Sequence, residues 1–112
     1  MATLIGPAGQ RIPLEQTANR SERRRGLLKR DALIGALLID SCRSVHTIGM
    51  RFPIDVAFVS LHDGALLVNA TCSMSRGRLG LPRFRSNAVL EAEVDAFDLW
   101  GIEVGQRWGI EP

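Results

Sequence analysis

Apolar residues in this chain come in short runs broken by glycine, proline or Asp-Gly, and that punctuation constrains the fold more than any other feature. Even read through Gly35, the longest run, Ala32 to Ile39, has eight residues before Asp40 ends it. A helix that buries one face needs roughly ten or more residues of 3.6-residue periodicity, whereas a strand is complete in about four to eight. Turn signals at intervals of about ten residues therefore predict several short strands rather than a helical bundle. The expected fold is a β-rich α+β one, a small, mostly antiparallel barrel-like sheet with one or two short helices.

The individual elements follow from local chemistry. Thr3 to Ile5 and Arg11 to Gln16 flank Gly-Pro-Ala-Gly at 6–9 and read as a hairpin. Asn19 followed by Glu22 has the form of a capping box for a short basic helix over Arg20 to Arg25, interrupted near Gly26. Ala36 to Ile39, Ser44 to Ile48 and Ile54 to Ser60 are apolar, β-branched or alternating, as strands prefer. The Asp63-Gly64 turn returns the chain as a partner strand, Ala65 to Ala70. Ser73 to Ser86 reads as an arginine-rich loop, and Ala88 to Val94 as another strand. Asp95 is placed to cap a helical turn that Gly101 ends, and Gln106 to Ile110 closes the sheet.

Composition bounds the function classes. A chain of 112 residues, 46% hydrophobic and 23% charged, supplies one core, so residues 1–112 read as a single domain. An eight-residue apolar run is far short of the ~20 residues that span a bilayer, so no membrane helix is expected. The first residues carry neither a basic segment nor a long apolar stretch, which makes cytoplasmic residence the expectation. Cys42 and Cys72 are then expected to stay reduced. With 14 basic and 12 acidic residues the net charge of +2 permits nucleic-acid binding without favouring it.

Two segments carry most of the sequence-specific signal: Cys42-Arg-Ser-Val-His-Thr-Ile-Gly-Met50 and Arg51-Phe-Pro-Ile-Asp-Val-Ala-Phe58. With Arg25-Gly-Leu-Leu-Lys-Arg30, Ala36-Leu-Leu-Ile39, Ala88-Val-Leu-Glu91 and Gly101-Ile-Glu-Val-Gly-Gln106, they make the chain resemble an uncharacterised microbial family, domain of unknown function 192, from about Thr17 onward. The resemblance implies a compact, mostly antiparallel, barrel-like sheet with short helices, and supplies no activity. Many members resemble exported proteins with a leading signal, which is not expected here from the first residues. Its loop before Ala88 is also unusually rich in arginine.

Candidate chemistry is sparse. On an extended strand Cys42 and His46 would lie about 13 Å apart, beyond the reach of a thiol-imidazole pair, so Cys42 reads as a small buried residue. His46 and Asp55, on adjacent expected strands, are the better pair: Asp55 interrupts an apolar stretch and would orient His46 as a general base. Arg43, His46, Met50, Arg51, Phe52 and Asp55 together outline a ligand site. Arg76, Arg78, Arg83 and Arg85 outline an anion-binding loop, with Phe84 as an aromatic between them. Cys42, His46, His62 and Cys72 lack the paired spacings of a metal site, so no metal and no cofactor are expected. The leading reading is a binding module for a small polar or anionic ligand or a protein partner. The alternatives are a small enzyme using His46 oriented by Asp55, and a structural or assembly accessory protein.

Overall fold

The computed structural model describes residues 2–42, 45–78 and 85–112. Strands β1 (Ala2–Ile5), β2 (Arg11–Gln16), β3 (Ala36–Asp40), β4 (Ile54–His62), β5 (Ala65–Met74), β6 (Ala88–Glu93) and β7 (Arg107–Glu111) close into a barrel. Their order around it is β1-β2-β3-β6-β4-β5-β7, with β7 returning to β1. The β2–β3 pair is parallel; the other pairings among the described residues are antiparallel. Parallel neighbours need a crossover, and residues 17–35 provide it, with α1 (Arg20–Arg25) at its start. The small barrel-like sheet with short helices expected from the sequence is the fold observed.

Two cores share this sheet, one on each face. Inside the barrel, Leu4, Leu14, Leu38, Ala57, Val59, Leu90 and Trp108 pack together, closed at one end by Phe97 of α2 (Ala96–Trp100). Outside it, Leu37, Ile39, Ile54, Val56, Phe58 and Val89 pack beneath Leu27, Leu33, Val45 and Met50 from the crossover and the 42–50 segment. Strands β3, β4 and β6 are therefore covered on both sides, and their sequences run almost continuously apolar instead of alternating. Among the described residues no helix is long and apolar enough to cross a membrane.

Two expectations change. The strand expected over Ser44 to Ile48 is not found: Ser44 lies outside the described residues, and over 45–50 His46 makes a single bridge, with turns at Ser41 and at 48–49. The segment is held instead by Thr47, which is fully enclosed; its Oγ1 donates to the Ser75 carbonyl and accepts from the Arg78 N–H. Asp95 precedes α2 but makes no side-chain cap. The acceptor at that helix start is Asp55 of β4, whose Oδ2 takes the Phe97 N–H at 3.1 Å.

Candidate functional site

The Asn19 cap forms as the sequence predicts, while Glu22 reaches one residue further back than a capping box requires. Asn19 Oδ1 accepts from the Glu22 N–H at 2.9 Å, and Glu22 Oε1 accepts from the Ala18 N–H at 3.1 Å. Gly26 ends α1 at φ 49°, a conformation glycine adopts without strain, and turns Leu27 down into the outer core. α1 itself buries no side chain, so its arginines remain near the surface above the sheet.

Beneath this turn lies a cavity of about 60 Å³. Its walls come from three distant parts of the chain: Arg23 to Leu28; Ile39 of β3 with Cys42, Val45, His46 and Met50 beyond it; and Glu91 of β6. Glu91 lies on the outer face of β6, opposite Leu37 of β3 and Val56 of β4, and is 4% exposed. Among the described residues it makes no hydrogen bond or ion pair, and Arg23 is engaged at 3.7 Å by Asp40 instead. Burial pushes the Glu91 carboxyl up to about 7. Every fully enclosed side-chain nitrogen or oxygen among the described residues has a partner, so the Glu91 oxygens must open into the cavity. A β-carbon built on Gly26 would sit 3.6 Å from Glu91 Oε1.

The structure divides the residues singled out from sequence. His46 and Met50 line the cavity; Phe52 packs partly buried against the same outer core; Arg51 turns outward to Asp31 at 3.0 Å. Asp55 does not join them. It shares the inner face with Ala57 and Val59, and its carboxylate accepts from Ser73 Oγ at 2.7 Å and from the Phe97 N–H. His46 and Asp55 thus lie on opposite faces of the sheet, and the general-base pair is not assembled. The reason is local: residues 45–50 form no strand of the barrel, so no strand register relates the two residues. Cys42 and His46 both line the cavity.

The arginine loop is also divided. Arg76 and Arg78 flank a turn pinned by Thr47 near the Ile54–Met74 end of the β4–β5 pair, whereas the Arg85 carbonyl accepts from Ser60 Oγ, about 20 Å away along β4. Arg43 and Arg83 lie outside the described residues. His62 is paired with Asp63 in the exposed β4–β5 turn, and Cys72 lines a separate pocket beside Asp55. Cys42 and Cys72 form no disulfide. Glu91 and Gly26 were missed as site residues. The available signal was a carboxylate set between apolar Leu90 and Ala92, the same signal that drew attention to Asp55.

Comparison with known proteins bears on the fold and the family. A protein from Sinorhizobium meliloti 1021 described as "a putative transcription regulator" superposes with a TM-score of 0.75 at 19% identity, covering 96% of this chain and 89% of that one. A protein of unknown function from Novosphingobium aromaticivorans DSM 12444 gives a TM-score of 0.70 at 22% identity, covering 99% and 83%. At such identities the likeness concerns the fold alone. No curated protein matches. The pattern of the family DUF192, uncharacterized ACR, fits residues 3–110, nearly the entire sequence, and the chain belongs to that family.

Proposed function

We propose that this protein is a binding module that holds a small polar or anionic ligand in the cavity between α1, the 42–50 segment and β6. One observation carries the reading: segments far apart in sequence converge on a cavity whose floor is a buried carboxyl without a partner among the described residues and whose rim is arginine and histidine. A buried polar group left unmatched costs stability, and such groups persist where a ligand meets them. The segments that form the cavity are also among those by which the chain resembles its family. A cytoplasmic setting accords with two cysteines that form no disulfide.

The test is a thermal-shift and amide chemical-shift screen of the full chain against carboxylates, phosphate and neutral sugars. A ligand at one hundred times its Kd stabilises the fold by about 2.7 kcal/mol. The expected hit moves amides of residues 23–28, 45–50 and 91 and loses its effect in Arg24→Ala and Glu91→Leu. A hit that persists in both variants, or maps elsewhere, refutes the reading.

A further inference from the structure

We propose that the cavity takes a small carboxylate anion together with one proton, the proton residing on Glu91 and the anion lying between that acid and the arginines of α1. This deepens the binding reading and rests on it. The argument begins with what faces Glu91. From α1 come Arg23, Arg24 and Arg25, of which Arg23 is turned to Asp40; from the 42–50 segment come Cys42 and His46. β3 contributes Ile39, and the strand neighbours of Glu91 are the buried apolar Leu37 and Val56. No cation among the described residues is paired with the carboxyl, although it is 4% exposed.

A carboxyl so enclosed holds its proton, because apolar surroundings penalise the charged form and no cation among the described residues offsets the penalty. Its upward displacement to about 7 agrees with that geometry. A protonated carboxyl is a hydrogen-bond donor, so the floor of the cavity asks for an acceptor. The rim asks for negative charge, since guanidinium groups have donors only. A planar carboxylate meets both demands, accepting the Glu91 O–H on one oxygen and an arginine N–H on the other. The space of about 60 Å³ accommodates a carboxylate head, roughly the room of four waters. A phosphate dianion brings a second full charge into an enclosed space, and burying that charge costs more than burying a monoanion. Above neutral pH, where Glu91 is ionised in the empty site, binding therefore draws one proton from solvent; below it, none.

The experiment is calorimetric titration of the full chain with propionate from pH 5.5 to 8.5, above pH 7 in buffers of different ionisation enthalpy. Wild type should bind with a Kd that is flat below pH 6 and rises about tenfold per pH unit above 7, with uptake close to one proton there. Glu91→Gln, which keeps a neutral donor, should bind propionate with no pH slope and no proton uptake. His46 lines the same cavity, so its replacement separates the two groups: His46→Ala changes the affinity but should keep the wild-type pH slope. A slope that survives in Glu91→Gln, or disappears in His46→Ala, overturns the proposal. Phosphate and glucose, followed by amide shifts at pH 5.5, separate the two levels of inference. If either occupies the cavity and propionate does not, the carboxylate assignment falls while the binding reading stands; if none of the three binds, both fall.

Discussion

Asp55 and Glu91 sit on adjacent strands, β4 and β6, each 4% exposed, yet they occupy opposite chemical situations. Asp55 faces the barrel interior, where Ser73 Oγ and the Phe97 N–H both donate to it, so it fastens α2 to the sheet. Glu91 faces the outer layer, where apolar side chains surround it and a cavity lies above. Equal burial thus conceals two roles. A carboxylate whose oxygens are both taken is explained by the fold, whereas one that is buried and unmatched calls for something the fold does not provide.

The comparison breaks first at Asp55. Asp55→Ala removes the acceptor for two hydrogen bonds and strands a buried N–H at the start of α2, an expected loss of about 4 kcal/mol. Urea unfolding measures it, and Asp55→Asn, which retains an acceptor, should recover about half of that loss. Ligand binding per folded molecule should not change. A cost below about 1 kcal/mol would mean that the two carboxyls do not differ as described.

Glu91 should respond with the opposite sign. Its folded value of about 7 stands above the ordinary 4.5, so between those pH values the native state binds more protons than the unfolded chain. Stability is then fully present below 4.5 and is lost as pH rises through 7. At about 1.4 kcal/mol per pH unit, the deficit above neutrality is on the order of 3 kcal/mol. Glu91→Gln carries no titrating group there, so it should be more stable than wild type at pH 8, with the gap closing toward pH 4.5. Thermal midpoints across that range are the measurement. A variant less stable than wild type at pH 8 would show that the ionised carboxylate has a partner.

A smaller effect should follow at the cavity's other wall. Thr47→Val keeps the shape of a fully enclosed side chain but deletes the hydroxyl that joins the Ser75 carbonyl to the Arg78 N–H. The expected loss is about 2 kcal/mol, with faster amide exchange at Arg78. Unchanged exchange there would mean that the hydroxyl does not hold the turn.

Much of the fold was legible because its signals are local. Asp63 and Gly64 both take positive φ, 48° and 74°, as an Asp-Gly hairpin turn demands, and the β4–β5 pair follows. The cap of α1 is likewise contained within residues 18–22. The site was less legible because its parts are joined by contacts distant in sequence. Residues 44–48 look like a strand until Thr47 is seen bonded to residues 75 and 78. Glu91 looks like a solvent-facing position of an ordinary strand, because that face is covered by the β2–β3 crossover and by Val45 and Met50, distant in sequence.

That crossover supplies the smallest and most discriminating prediction. α1 buries no side chain, so what holds it over Glu91 is its cap, the Glu22 contact to the Ala18 N–H, and the Arg23–Asp40 pair at 3.7 Å. Asn19→Ala removes the acceptor for the Glu22 N–H and should cost about 1 kcal/mol, chiefly as fraying of residues 20–25 seen by hydrogen exchange. Fraying admits water above Glu91, and a better solvated carboxyl gives up its proton more readily. Its titration midpoint, followed by carboxyl carbon NMR, should therefore move down from about 7 toward 4.5. The hydrogen bonds to Asp55, on the other face, should not change. A midpoint left in place despite a frayed helix would mean that the apolar outer core alone, and not the arginine turn, keeps Glu91 protonated.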